Sequence, residues 1–289
     1  MRIPFISRLF RSGPVVPVLR FSGHIGAVTP LRPGLNLSSL AGSIQRAFAT
    51  KGAKAVAIQI NSPGGSAVQS MQIYKRIRDL ADEKDLPVYV FTEDVAASGG
   101  YLIALAGDEI YVDASSIVGS IGVVSAGFGL DKAIKRLGIE RRVYTAGESK
   151  SVLDPFMPEK EQDVKRLKAL QADIHETFKE LVKDRRGRRI KDADVDLFTG
   201  EFWSGKKAVE LGLVDGVSDL RSKMREMLGE KVQLKLISPK KGLFGRNLRS
   251  VFVRGGDEFS AETGFSAPTL ADDVISAVEA RSLWSRFGL

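Results

Sequence analysis

The chain has 289 residues, 43% of them hydrophobic, which is ample for a buried core and excludes a disordered polypeptide. It contains no cysteine, so disulfides, thiolate catalysis and cysteine-based zinc sites are excluded. The formal charge of +8 leaves nucleic acid, an anionic membrane surface or simple solubility as its meaning.

The chain starts MRIPFISRLFRSGPVVPVLRF, with Arg2, Arg8 and Arg11 scattered among Ile3, Phe5, Ile6, Leu9 and Phe10. It has neither an unbroken signal-peptide core nor a small-residue cleavage site. Residues 1–14 are therefore read as a basic tip, either frayed or lying on a membrane surface. No stretch approaches the ~20 apolar residues of a membrane-spanning helix. From Val15 the pattern is regular: VVPVLRFSG is strand-like, LSSLAGSIQRAFATKG helical, AKAVAIQI a nearly continuous apolar strand, and SAVQSMQIYKRIRDLADEKD a helix. PVYVFTE is the next strand, SGGYLIALAGD a short buried helix, EIYVD a strand, and GIERRVYTAG a further one. Strands apolar on both faces, alternating with helices, indicate an α/β fold with a mostly parallel sheet covered on two sides.

A long helix follows in PEKEQDVKRLKALQADIHETFKELVKDRR, with Val164, Leu167, Leu170, Ile174, Phe178 and Leu181 expected on its packing face. The run from Lys183 to Lys191 has no aromatic residue to stack bases, so it reads as a solvated helix end and nucleic acid is not expected. Two short helices are expected around GLVDGVSDL, within 207–230. The domain is therefore taken as 15–230, and residues 231–289 as a Gly- and Ser-rich linker with a C-terminal arm ending in an amphipathic helix.

One serine stands out in EDVAASGGYLIAL. Ser98 follows an apolar run and is flanked by alanines and glycines, as a nucleophile on a tight strand-to-helix turn would be. On this stretch alone, a helix cap explains it as well. A serine nucleophile needs a base, and histidine is the usual one. The two histidines, His24 in SGHIG and His175 in the long helix, lack an orienting carboxylate in sequence context, so each is assigned a surface or packing role. Lysine is the alternative base. Its reference pKa of ~10.4 must fall toward ~7 to 8 by burial, which favours a lysine outside the charged runs. Lys150, in TAGESKSVLDPF, follows a glycine and precedes a Val-Leu pair. Finally, NSPGGS at residues 61 to 66 follows a buried strand, and its glycines allow backbone amides to turn toward a carbonyl oxygen. A tight turn is the simpler reading of that loop alone; no phosphate-binding glycine motif occurs there.

Taken together and in order, INSPGGS, VAASGGY, VGSIGV and AGESKSVLDPF resemble the signal peptide peptidase A family of serine proteases (peptidase family S49), a branch of the ClpP/crotonase-like fold. The resemblance runs from about Val15 to Val217 and includes FTGEFWSGKKAVELGLVDGV. It implies Ser98 as nucleophile, Lys150 as general base and Ser120 as the serine that aims the lysine amine. Gly65 and Gly99 would supply the oxyanion amides, with Gly64 allowing the turn. It further implies peptide substrates such as residual signal peptides, no cofactor or metal, and a homo-oligomer in which neighbouring subunits complete each site. The family's usual amino-terminal membrane anchor is not seen, so peripheral association with the inner membrane and a cytoplasmic place are both expected options. Two rival readings share the fold: a crotonase-type acyl-CoA enzyme, which gives no reason for Ser98, Ser120 and Lys150 to occur together, and a non-catalytic ring-forming scaffold.

Overall fold

The computed structural model describes residues 13–26, 34–147, 149–191, 195–238, 278 and 281–289. Strands β1 (Val15–Ser22), β2 (Val56–Ser62) and β3 (Val88–Ala97) form the middle of one sheet, all parallel. β8 (Gln233–Leu236) adds to the free edge of β1. The long strand β3 divides its other edge between two partners. Its first half pairs with β4 (Glu109–Val112) and its second half, Val95–Ala97, with β5 (Ile117–Gly119). β7 (Gly216–Val217) follows β4, and β6 (Phe202–Ser204) closes β5 as the antiparallel neighbour.

The crossover helices α1 (Leu37–Phe48) and α2 (Ala67–Lys84) are the amphipathic segments read from the sequence. Leu40, Ile44 and Phe48 of α1 and Ile73, Ile77 and Leu80 of α2 lie against Ile58, Ile60 and Val90 of the sheet. Each fully buried aliphatic side chain of this kind contributes about 1.5–3 kcal/mol. The Asn36 side chain caps α1 by accepting from the Ser39 amide at 2.9 Å, and Ser66 caps α2 through the Gln69 amide at 3.3 Å. The opposite face of the sheet carries a second cluster around Val16, Phe91, Tyr111 and Met224, the last from α7 (Leu220–Leu228).

Between Ile60 and Ser62 the β2–β3 register shifts, because Ile60 pairs with Thr92 but Ser62 with Ala96. Asn61 fills the break: its amide donates to Asp94 Oδ2 at 2.7 Å and its carbonyl accepts from the Val95 amide at 3.2 Å. The bulge re-aims the end of β3 toward the loop after β2, as bulges beside functional sites do. Helix α3 (Gly99–Ala104) begins immediately after and is buried along its whole length. Tyr101 anchors it by donating to the Leu213 carbonyl at 2.7 Å, and burial raises the Tyr101 pKa far above that of a free phenol.

Several elements differ from the sequence reading. Residues 138–147 form no strand and are almost wholly exposed, so no burial rewards their pairing within one chain. The intervening α4 (Asp131–Arg136) buries no residue. Helix α5 (Glu161–Arg186) is present, but within one chain it buries Asp163, Phe178, Val182 and Arg186 while Leu170 stays 57% exposed, so its buried apolar side chains all lie in the C-terminal half. The basic run at that end is not simply solvated. Arg186 is 2% exposed, donates to the Gly212 carbonyl and pairs with Asp215 at 2.7 Å, while Arg185 donates to the carbonyls of Leu105 and Gly107. Finally, β8 extends the sheet beyond residue 231, and α6 (Gly205–Leu211) precedes the turn that Arg186 holds.

Candidate active site

The ends of β3 and β5 deliver two serines side by side. Ala97 pairs with Gly119, so Ser98 and Ser120 are the next residues of adjacent strands. The Ser98 amide donates to the Gly119 carbonyl at 2.8 Å, and the Ser120 amide to the Glu201 carbonyl at 2.6 Å. Both serines adopt positive φ, 52° and 53°. A non-glycine residue held there stores on the order of 1–3 kcal/mol of strain and persists only where its surroundings fix it. The helix-cap explanation of Ser98 fails on geometry. Ser98 occupies the N-cap position of α3, yet its side chain makes no capping hydrogen bond.

The glycine loop after β2 lies against this turn. A parallel bridge joins Ile25 and Gly65: the Ile25 amide donates to the Gly64 carbonyl at 2.9 Å, and the Ser66 amide donates to the Ile25 carbonyl at 2.8 Å. Gly65's own amide therefore points away from Ile25, and among the described residues it has no hydrogen-bond acceptor. The Gly99 amide, at the first position of α3, has none either. The two are near neighbours, since a Cβ on Gly99 would lie 3.4 Å from the Gly65 nitrogen. Gly64 has φ +102°, and a Cβ there would lie 2.8 Å from the Ser98 Cβ, so only glycine fits.

Ser98 and Ser120 open into a cavity of about 310 Å³, also lined by Gly122, Val123, Val124, His175, Thr199, Gly200 and Arg286. His175 was read as a surface or packing residue; it lines this cavity instead. Its Nε2–H donates to the Ile121 carbonyl at 3.1 Å, beside Ser120. The signal was in the sequence: His175 lies three residues before the buried Phe178, on the inward stripe of α5. His24 sits at the glycine loop, its Nε2 2.8 Å from where a Gly65 Cβ would be.

Lys150 does not line the cavity. It is exposed, in the segment between β5 and α5, and among the described residues its side chain has no hydrogen bond or ion pair. That segment is internally bonded. The Leu130 amide donates to the Pro155 carbonyl at 2.6 Å, Arg141 pairs with Asp154 at 3.0 Å, and Arg166 of α5 donates to Ser149 at 2.7 Å. The Phe156 amide, followed by Arg141, holds the Asp154 carboxyl below the usual carboxylate range. One chain thus brings Ser98, Ser120, Gly64, Gly65 and Gly99 together and leaves Lys150 outside.

The sequence pattern of peptidase family S49 matches residues 81–235, which include both serines and Lys150. The chain belongs to this family. The Clp protease pattern also matches, over residues 44–116, in agreement with the parallel sheet and the strand-to-helix turn at Ser98. Among family relatives, the putative protease slr0021 of Synechocystis is 31% identical over 70% of this chain and 72% of its own. The putative signal peptide peptidase SppA of Enterococcus faecium is 30% identical over 63% of this chain and 52% of its own. A Brucella abortus protein named as the Na(+)/H(+) antiporter NhaA is 54% identical over 98% of this chain. The chain spans only 38% of that relative's length, and among the described residues no helix is long and apolar enough to cross a membrane. The ion exchange in that name is therefore not carried to this chain.

Proposed function

We propose that the chain is a serine endopeptidase that cuts extended apolar peptides, residual signal peptides among them, with a Ser98–Lys150 dyad. One observation carries this reading. Ser98 is held at positive φ on a strand-to-helix turn, its hydroxyl is unused for capping, and it faces a cavity beside two amides without acceptors. A scaffold has no need of that strain, and an acyl-CoA enzyme no need of the serine.

In the reaction, the Lys150 amine takes the proton of Ser98 as Oγ bonds to the peptide carbonyl carbon. The Gly65 and Gly99 amides donate to the oxyanion that forms. The resulting ammonium protonates the leaving amine as the C–N bond breaks, which leaves an ester on Ser98. Water, deprotonated by the same amine, attacks the ester, and the proton returns to Oγ as the ester bond breaks. Ser120 orients the amine. No metal or nucleotide enters these steps.

The base comes from a neighbouring copy. Lys150 lies outside the cavity of its own chain, and the segment that bears it exposes Phe128, Leu137, Ile139 and Tyr144 at 55–91%. Large apolar side chains exposed together in one segment are what an association surface would use. The basic residues 1–12 lie outside the described residues; a peripheral membrane contact through them remains part of the proposal. Mixing tests the shared site: Ser98→Ala and Lys150→Ala proteins, each inactive, should regain peptidase activity when combined and allowed to exchange subunits. Full activity of Lys150→Ala by itself would refute the dyad, and failure of the mixture to recover would refute sharing.

A further inference from the structure

Residues 281–289 carry none of the proposed catalytic groups, yet they sit beside the cavity. Phe287 is 9% exposed and clusters with Val95 and Ala97, the β3 residues that lead into Ser98; Ile117 of β5 and Trp284 adjoin the same cluster. Phe287 also meets Phe202 of β6 edge to face, with ring centroids 5.1 Å apart. Arg286, between the two aromatic residues, lines the cavity together with Ser98, Ser120 and His175. The turn is closed by the Phe287 amide donating to the Trp284 carbonyl at 2.9 Å.

Side chains alternate along β3. Ala96 points into the main core, whereas Val95 and Ala97 point to the other face. Without the C-terminal residues, that face would present Val95, Ala97, Ile117 and Phe202 as a bare apolar strip at the threshold of Ser98. Such a strip, with an open cavity next to it, suits a peptide that carries large apolar side chains.

We propose that residues 281–289 are an intramolecular ligand of this surface: Trp284 and Phe287 cover the β3–β5 strip, Arg286 occupies the cavity mouth, and an incoming peptide must displace them. The consequence for rate rests on the reading of Ser98 as nucleophile; the docking itself does not.

The test compares three forms of the assembled protein: the full chain, a chain ending at residue 280, and full-length Phe287→Asp. Labelling of Ser98 by a peptidyl phosphonate is followed by intact mass, and thermal unfolding by circular dichroism identifies any form that fails to fold. Both altered forms should label about tenfold faster, the factor expected from withdrawing a buried aromatic side chain, and added synthetic peptide 281–289 should restore slow labelling. Separately, the fluorescein-labelled peptide should bind the shortened chain carrying Ser98→Ala, as read by anisotropy. Failure of that peptide to bind, or equal labelling rates in all folded forms, would overturn the proposal. Peptide binding without labelling in any form would support the docking and count against Ser98 as nucleophile.

Discussion

A methyl group on Gly64 would lie 2.8 Å from the Ser98 Cβ, 2.9 Å from the Ala97 carbonyl oxygen and 3.0 Å from the Gly99 nitrogen. Those atoms are the turn itself, so the clash in Gly64→Ala cannot be relieved by swinging away a flexible side chain. The φ of +102° adds the left-handed penalty of about 1–2 kcal/mol for a residue with a Cβ. Overpacking against fixed neighbours adds about 1–3 kcal/mol. Gly23 provides the control, because its φ is +118° but a Cβ there meets nothing within 4 Å. Gly23→Ala should therefore show the backbone penalty alone, and Gly64→Ala should be about 1–3 kcal/mol less stable than it in urea unfolding. Relief of the clash also moves Ser98, and a displacement of about 1 Å costs on the order of 10²-fold in rate. Acylation of Ser98 should accordingly fall by about that factor in Gly64→Ala and stay near wild type in Gly23→Ala. Equal stability and equal acylation in the two variants would refute the packing argument.

Arg186→Ala leaves the Gly212 carbonyl unpaired and removes the buried cation from Asp215, which keeps Arg189 and the Ile110 amide, and should cost about 1–3 kcal/mol in urea unfolding; a neutral result would contradict the hold on that turn given to Arg186. Tyr101→Phe leaves the Leu213 carbonyl unpaired and should cost about 1–3 kcal/mol by the same measurement; a neutral result would show the contact unimportant. The Asp154 carboxyl has a lowered folded pKa, so its contribution is fully present above the ordinary carboxylate range and is lost as pH falls through the folded value. Amide exchange over residues 141–156 should therefore lose protection in acid, and Asp154→Asn should abolish that dependence. An unchanged pH dependence in the variant would assign it elsewhere.

The α/β core was readable because strands such as AKAVAIQI are apolar on both faces and helices such as LSSLAGSIQRAF repeat at three and four. Periodicity alone misled at GIERRVYTAG: Ile139 and Tyr144 stay 55% and 91% exposed, so burial gives the segment no reason to pair. QLKL was missed although its signal is present: Val232, Leu234 and Leu236 alternate with Lys231, Gln233 and Lys235 as in a half-buried strand, but the run is short and stands beside a Gly- and Ser-rich segment. In the charged run after Lys183, composition could not separate Arg186 from its neighbours, although it follows the buried Val182 by four positions on the same stripe. Ser98, Ser120 and the glycine loop were legible because tight turns demand small residues in a fixed order. The place of Lys150 was not, because neither apolar periodicity nor glycine spacing fixes where an exposed loop lysine sits.

The central claim, that Ser98 is the nucleophile, is met most directly by intact-mass analysis of the protein after incubation with a peptidyl phosphonate, with peptide mapping of the adduct. The account predicts one adduct per chain, on Ser98, and none in Ser98→Ala. An adduct on another residue, or equal labelling of Ser98→Ala, would contradict it.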